Sequence, residues 1–175
     1  MKRRCGDCTL CCKLLSVREI DKPAGQRCAH QCSTGCRIYH KPGFPLSCAV
    51  WSCRWLDGIG TESMRRPDRT HYVVDMMPDM IQARHNETGE VTQSVVIQVW
   101  VDPAFPDAWE DPALLAFVES AAQPMIVRYD TRRGFVVFPP NRSHDGKWHR
   151  VNSEIAESRT GSMLLDVLTA PARDP

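Results

Sequence analysis

The sequence lacks any long apolar segment. No apolar run in its 175 residues approaches the roughly 18 to 20 needed to span a bilayer, and the longest candidate is SVVIQVWV, residues 94–101. The opening residues, MKRRCGDCTLCCKLL, also lack the continuous apolar stretch and the small-residue cleavage site of a secretory signal. We therefore expect no membrane association and a location in the reducing cytoplasm, where disulfides are disfavoured.

A strong net charge is absent too. The formal charge of +1 argues against bulk attraction to nucleic acid, which makes a nucleic-acid partner the weakest interpretation. The charge is unevenly distributed, however, because residues 1–55 carry +7 and the remainder carries −6. We attribute the basic excess to neutralisation of metal-bound thiolates, since the basic residues near cysteines are Lys13, Arg27, Arg37, Lys41 and Arg54.

Cysteine, by contrast, is abundant and confined to one end of the chain. All nine cysteines lie within residues 5–53. Isolated free cysteines are usually buried as small apolar side chains, but that does not account for nine in 49 residues. A disulfide framework is opposed by the missing secretory signal and by the odd number of thiols. The clustering therefore favours a bound metal.

The spacing of the first four cysteines limits how they bind a metal. Cys5, Cys8 and Cys11 are separated by two-residue gaps, which let neighbouring sulfurs reach one ion. The same spacing begins the cluster-binding run of bacterial ferredoxins, although the fourth cysteine of that run is replaced here by the adjacent Cys12. Adjacent side chains diverge by about 100° on a helix. We therefore predict either two metal sites or one polynuclear cluster, with zinc or iron as the metal, including an iron–sulfur cluster.

The composition predicts two regions. Residues 1–56 are rich in Cys, Gly, Pro and Lys, which predicts a loop-rich metal-binding module with one short helix over Cys8–Val17. Residues 57–175 predict an α+β domain, either separate from the module or forming one compact unit with it. The fold class expected for the whole chain is therefore α+β, with the cysteine module packed on a mostly antiparallel sheet that carries one or two helices.

The second region alternates β-branched and apolar runs with turn residues. We predict strands over His71–Met77, Met80–Asn86, Ser94–Asp102, Met125–Asp130, Gly134–Phe138 and Trp148–Ser153. The short linkers PDM, NETGE and TRRG favour hairpins between successive strands. A helix is predicted to begin with Asp111 as N-cap and Pro112 as its first residue, and a second, short helix is predicted over Gly161–Leu168.

The cysteines and their surroundings resemble a known family. The octet CGDCTLCC has the form C-x-x-C-x-x-C-C, and it is followed by Cys28, by GCRIY at residues 35–39, and by a closing Cys48-x4-Cys53. This set, over residues 5–56, resembles the YkgJ-like cysteine-cluster family of bacteria, whose domain is described as zinc- or iron-chelating. The family's Arg-Pro before the penultimate cysteine is replaced here by Phe44-Pro45.

The resemblance implies eight metal ligands and an extra thiol. The ligands would be Cys5, Cys8, Cys11, Cys12, Cys28, Cys36, Cys48 and Cys53. Cys32 is the remaining cysteine, which we expect to be simply buried. His30 and His40 lie within the cluster and are expected to be exposed rather than to bind metal, while Trp51 and Trp55 are expected to shield the thiolate of Cys53.

Two functions remain open at this point. The first is a cytoplasmic metal-binding protein that recognises an unidentified protein partner. The alternative is an iron–sulfur-dependent enzyme that modifies proteins or carries out redox chemistry, by analogy with the related cysteine cluster of lysine N-methylases. The sequence offers no glycine-rich nucleotide-binding fingerprint and no paired carboxylates that would identify a reaction. Whether the protein is an enzyme is left open by the residues.

Overall fold

The fold is an α+β arrangement built on one large mixed sheet, which confirms the predicted fold class. A computed structural model describes residues 3–84, 91–143, 145–151, 156–157 and 162–165. The helices of this part are α1 (Leu10–Leu14), α2 (Leu46–Val50), α3 (Arg54–Asp57), α4 (Pro67–Thr70) and α5 (Pro112–Ala121). No helix among these residues has the length and apolar character needed to cross a membrane.

The strands form a small hairpin and the large sheet. They are β1 (Gln31–Cys32), β2 (Gly35–Cys36), β3 (Tyr72–Val74), β4 (Asp79–Arg84), β5 (Val91–Val101), β6 (Met125–Arg128), β7 (Gly134–Phe138), β8 (His149–Val151), β9 (Ala156–Glu157) and β10 (Ser162–Leu165). The large sheet has the order β8-β7-β6-β5-β4-β10-β9, and β3 also pairs with β5. Within the described residues its pairings are antiparallel except β5–β6 and β4–β10, which are parallel.

The predicted hairpin across PDM is wrong, because β3 and β4 do not pair with each other. Both pair with β5, which is eleven residues long. Strand β3 pairs with Val99–Val101 of β5, and β4 pairs with Val91–Val96. Between them the Asp75 carboxylate accepts a hydrogen bond from the Met77 backbone N–H at 2.9 Å, and Pro78 has no N–H to donate. The ladder is therefore interrupted without a reversal of the chain.

The hairpins β4–β5 and β6–β7 are antiparallel as predicted. The turn residues NETGE, residues 86–90, lie outside the described part of the chain. At the second turn the Tyr129 N–H donates to the Arg133 carbonyl at 2.9 Å, which closes the TRRG connection. Short turns of this kind impose antiparallel pairing on the strands that they join.

Helix α5 begins as the sequence predicts. The Asp111 carboxylate accepts a hydrogen bond from the Ala113 N–H at 2.8 Å, and Pro112 is the first helical residue. Leu114 and Val118 are fully buried on the face that meets the sheet. Because α5 carries the chain from β5 to β6 across this face, the two strands run parallel.

The helix predicted over Gly161–Leu168 is wrong for Ser162–Leu165, the part of this range that the structure describes. Ser162–Leu165 forms strand β10, which pairs in parallel with Met80–Ala83 of β4. The unpaired backbone groups on that edge of β4 provide hydrogen-bond partners that a short, isolated helix would not have. Residues 161 and 166–168 lie outside the described part of the chain.

The two faces of the sheet carry different layers. Side chains alternate between faces along a strand, so Val99 and Val101 pack with α5, while Trp100 points to the opposite face. On that opposite face Trp100 and Val73 pack against Leu10, Leu14 and Cys8 of the N-terminal segment. The cysteine-bearing segment therefore lies directly on the sheet. The boundary predicted between residues 56 and 57 stays a prediction.

Two aspartates attach the cysteine-bearing segment to the sheet. Lys13 forms an ion pair with Asp102 at 2.6 Å, next to the end of β5. The indole N–H of Trp51 donates to the Asp75 carboxylate at 2.8 Å, and Cys53 forms a β-bridge with Asp75. Since β3 and β5 are antiparallel, Asp75 and Asp102 lie at opposite ends of this strand pair. The segment is therefore held at both ends.

We expect Lys13→Met to destabilise the protein by about 1 to 3 kcal/mol, because it removes the charged partner of a buried carboxylate. The Asp102 side chain is only 7% exposed. In the variant, the backbone N–H of Ala104 would be the one donor left to this carboxylate among the hydrogen bonds of the described residues. The measurement is urea unfolding of the protein as purified, followed by tryptophan fluorescence. The exposed Lys41→Met is the matched control, and equal stability of the two variants would contradict the anchoring role.

Candidate metal centre

All nine cysteines lie in the described part of the chain, and all are free thiols. Cys8 is buried, Cys5 is exposed, and the other seven are partly buried. Within the described residues no three His, Cys, Asp or Glu side chains converge closely enough to form a ready-made metal-binding group. The cysteines of the described chain are therefore free thiols that are not drawn together around a point.

A first group of thiols consists of Cys5, Cys8, Cys11 and Cys53. The Cys8 N–H donates to the Cys5 carbonyl at 3.0 Å, and the Cys5 thiol donates to the Cys8 carbonyl at 3.4 Å, so this loop folds back on itself. Gly6 allows the turn, because its φ is +55°. Cys8, Cys11 and Cys53 contact the same apolar cluster on the sheet. Cys53 therefore lies near Cys8 and Cys11, although it is far from them in sequence.

The thiols of the first group have raised pKa values. Although Cys5 is exposed as a residue, partial desolvation of its sulfur, followed by the charges of Cys8, Cys53 and Cys12, raises its pKa to about 11. Burial also raises the pKa of Cys8 and of Cys53. Without a bound cation these thiols are therefore protonated at neutral pH, since ionised sulfurs would be desolvated and would repel one another.

A second group consists of Cys12, Cys28, Cys36 and Cys48. The Cys28 N–H donates to the Cys12 carbonyl at 3.0 Å, which joins the loop before β1 to α1. The β1–β2 hairpin then brings Cys36 back towards this loop. Burial and the charges of Cys12, Cys28 and Cys36 raise the pKa of Cys48, which α2 carries. These four thiols are therefore electrostatic neighbours.

The two groups meet at the adjacent residues Cys11 and Cys12. Both lie on α1, and a hydrogen bond between their thiols raises the pKa of Cys11 and lowers that of Cys12. Adjacent residues of a helix point about 100° apart, yet this hydrogen bond keeps the two thiols in contact, so the two groups adjoin here. The groups are also close elsewhere, since a Cβ at Gly35 of the hairpin would lie 3.2 Å from the Gly6 carbonyl.

A buried lysine lies beside the second group. Lys22 is 7% exposed, and its ammonium donates to the carbonyls of Lys13 and Leu15 at the end of α1. Burial lowers the pKa of Lys22, and electrostatic interaction with the sulfurs of Cys28, Cys12 and Cys11 opposes this shift. Sequence reasoning missed this residue, because Lys22 is six positions from the nearest cysteine and no local pattern marks it.

Cys32 is separated from the other cysteines by the geometry of its hairpin. Cys32 pairs with Gly35, and Gln31 pairs with Cys36, so the side chains of Cys32 and Cys36 point to opposite sides of the two strands. Its thiol lies 3.5 Å from the Thr34 hydroxyl and 3.4 Å from the Gly35 carbonyl. Cys32 is partly exposed rather than buried, which corrects the expectation for this extra thiol.

The aromatic and histidine predictions have mixed outcomes. Trp51 packs beside Cys53 as expected, whereas Trp55 packs on the other side of the sheet and donates to the Met64 carbonyl at 3.0 Å. His40 is exposed as expected, but His30 is partly buried and its backbone N–H lies 3.4 Å from the Cys28 sulfur. His30 therefore contacts Cys28 through its backbone N–H.

Comparison of the chain with protein-family models, with curated proteins and with solved structures finds no match in any of the three. The resemblance to the YkgJ-like family therefore remains a prediction. The fold and the candidate centre define an α+β protein with a thiol-rich segment layered on one face of its sheet.

We expect Cys32 to be the first cysteine alkylated when the protein as purified is treated with limiting iodoacetamide. The Thr34 hydroxyl lowers the pKa of Cys32 by hydrogen bonding to its sulfur, and thiolates are the reactive form. Thr34→Val should slow this reaction, while Thr34→Ser keeps the hydroxyl and serves as the control. Peptide mapping by mass spectrometry checks the order, and faster modification of Cys12, whose pKa is lowered to about 7, or of Cys5 or Cys53 would contradict it.

Proposed function

We propose that the chain is a metal-binding protein in which up to eight cysteine thiolates hold zinc or iron. The observation that supports this most is that free thiols distant in sequence are neighbours on one face of the sheet, as Cys8, Cys11 and Cys53 are. Cys32, the ninth cysteine, points away from its hairpin neighbour Cys36. Four thiolates are the donor set of structural zinc sites and of iron–sulfur clusters, so the residues present fit either metal.

In this proposal each group holds its own ion or cluster. The ligands of the first group are Cys5, Cys8, Cys11 and Cys53, and those of the second are Cys12, Cys28, Cys36 and Cys48. A bound metal supplies cross-links between parts of the chain that are distant in sequence. The two sites would adjoin at Cys11 and Cys12, which are adjacent on α1 and hydrogen-bonded through their thiols, and one polynuclear cluster is the alternative arrangement.

The need for such cross-links follows from the packing of the segment. The buried apolar side chains that residues 3–56 contribute are few, namely Cys8, Leu10, Leu14, Val17 and Pro45. Metal binding contributes directly to folding free energy when the site forms only in the folded chain. The proposal includes a reducing compartment such as the cytoplasm, because thiols bind metal only while they are kept reduced.

The charges around the thiols are consistent with the proposal. Four thiolates around a divalent ion carry −2, so two such sites carry −4 against the +7 of residues 1–55. Lys22 brings one of these positive charges into the interior beside Cys12. Basic side chains near the thiolates reduce the repulsion between neighbouring sites.

We expect serine substitutions of the cysteines to have three different effects on the metal content of the protein. Cys8→Ser should remove the metal of the first group, Cys36→Ser that of the second, and Cys32→Ser neither. Elemental analysis of anaerobically purified protein gives the content, and the visible spectrum separates colourless zinc from a brown iron–sulfur cluster, which would favour the enzyme alternative. A wild-type sample that is metal-free yet compact, with its thiols reduced, would contradict the proposal.

Metal binding should also release protons. In Cys36→Ser only the first group is complete, and its thiols have raised pKa values, so each is protonated before binding at about pH 7.5. We expect about four protons to be released per ion bound. Calorimetric titration in buffers of different ionisation enthalpy gives this number. A release of fewer than about two protons would show that these thiols are not the ligands.

A further inference from the structure

A loop without cysteine contacts both of the helices that carry Cys12 and Cys48. This loop is Val17–Lys22, which we call the bridging loop. Its two ends pair with each other, since the Val17 N–H donates to the Lys22 carbonyl at 2.8 Å and the Lys22 N–H donates to the Val17 carbonyl at 3.0 Å. The side chain of Val17 is buried. The bridging loop is therefore closed at its base and attached to the interior.

The end of α1 obtains its hydrogen-bond donors from the bridging loop and the residues after it. The last carbonyls of a helix have no partner within the helix. The Lys22 ammonium donates to the Lys13 carbonyl at 3.0 Å and also to the Leu15 carbonyl. The carbonyl between them, that of Leu14, accepts from the Gly25 N–H at 2.9 Å. Lys22 therefore holds the turn of α1 that follows the thiols.

The start of α2 is held by Glu19 of the bridging loop. The Glu19 carboxylate accepts a hydrogen bond from the Ser47 N–H and another from the Ser47 hydroxyl, both at 2.9 Å. Pro45, the residue before α2, has no side-chain oxygen with which to cap the helix. The acceptor that an N-cap residue ordinarily provides therefore comes from a different part of the chain. Ser47 directly precedes Cys48 in α2.

The thiols on the two helices belong to the same group. Cys12 is an electrostatic neighbour of Cys48, and the sulfurs of both interact with the Lys22 ammonium. Glu19 and Ser47 are 28 residues apart in sequence, so their contact forms only when this segment has folded. One short loop thus contacts the helix of each thiol, through an ammonium in one case and a carboxylate in the other.

We propose that Glu19 and Lys22 are positioning residues of the second metal site. Lys22 holds the end of α1 and Glu19 holds the start of α2, so that Cys12 and Cys48 reach the same ion. Neither side chain is a ligand, because an ammonium has no lone pair to donate and the Glu19 oxygens accept from Ser47. The inference rests on the proposed function, since it requires that the second group binds metal.

The experiment isolates each thiol group and measures its affinity for zinc. Cys8→Ser leaves the second group complete, and Cys36→Ser leaves the first complete. Glu19→Ala is introduced into each of these proteins, and zinc is titrated in competition with a chromophoric chelator under anaerobic, reducing conditions. We expect the substitution to lower the zinc affinity of the second group by about tenfold or more and to leave that of the first unchanged. The exposed Glu62→Ala is the matched control.

A second readout follows the thiol that Glu19 positions. In the zinc-loaded Cys8→Ser protein, Glu19→Ala should make alkylation of Cys48 faster, because a ligand that is held less firmly is protected less by the metal. Peptide mapping by mass spectrometry gives this rate. Since Glu19 is exposed, the substitution removes no side chain from the core.

Substitutions of Lys22 test the other contact. Lys22→Met should also weaken zinc binding by the second group alone, and Lys22→Arg, which keeps a charged donor, should restore part of the lost affinity. Lys147→Met changes an exposed lysine outside residues 1–56 and is the control. Urea unfolding of each variant measures stability separately, because Lys22 is buried.

Two results would overturn the inference. One is an unchanged zinc affinity of the second group in the Glu19→Ala variant. The other is an equal loss of affinity in both groups, which would indicate a general loss of stability instead of the positioning of two thiols. The proposed function fails separately if the folded Cys8→Ser and Cys36→Ser proteins, with Glu19 and Lys22 intact, bind neither zinc nor ferrous iron.

Discussion

The crowding of thiols on one face of the sheet is the constraint on which the cysteine-bearing segment depends. Desolvation raises the pKa values of Cys5, Cys8 and Cys53, and repulsion from neighbouring sulfurs adds to it for Cys5 and Cys53. Left protonated, these thiols are weak packing groups in a segment with few buried apolar side chains. A cation among the sulfurs would convert this repulsion into attraction, and the proposed metal accounts for both the clustering and the sparse core.

The sheet determines where the cysteine-bearing segment lies. Asp75 and Asp102 follow β3 and β5 at opposite ends of one strand pair, and they receive Trp51 and Lys13 from the segment. Between these two aspartates, Trp100 and Val73 provide the apolar side chains of the sheet on which the segment packs. The position of the thiols is therefore set by a strand pair that contains no cysteine. A change in the register of β3 against β5 would displace both anchors at once.

Local patterns predicted much of this structure, and contacts distant in sequence account for the rest. The cap at Asp111, the strand Gly134–Phe138 and the confinement of cysteine to one segment were all visible in short windows. The pairing of β3 with β5 and the strand β10 were not, because each depends on an edge formed by another part of the chain. Lys22 was missed for the same reason, since only the folded loop brings it to Cys12.

The position of the two anchoring aspartates has a consequence for synthesis of the chain. Cys53 leaves the ribosome 49 residues before Asp102. At translation rates of 5 to 20 residues per second, this gap lasts about 2 to 10 seconds. During that time all nine sulfurs are present on a nascent chain that does not yet have its sheet. Oxidation of the nascent thiols, or capture of an ion by the wrong set of four, would then compete with correct assembly.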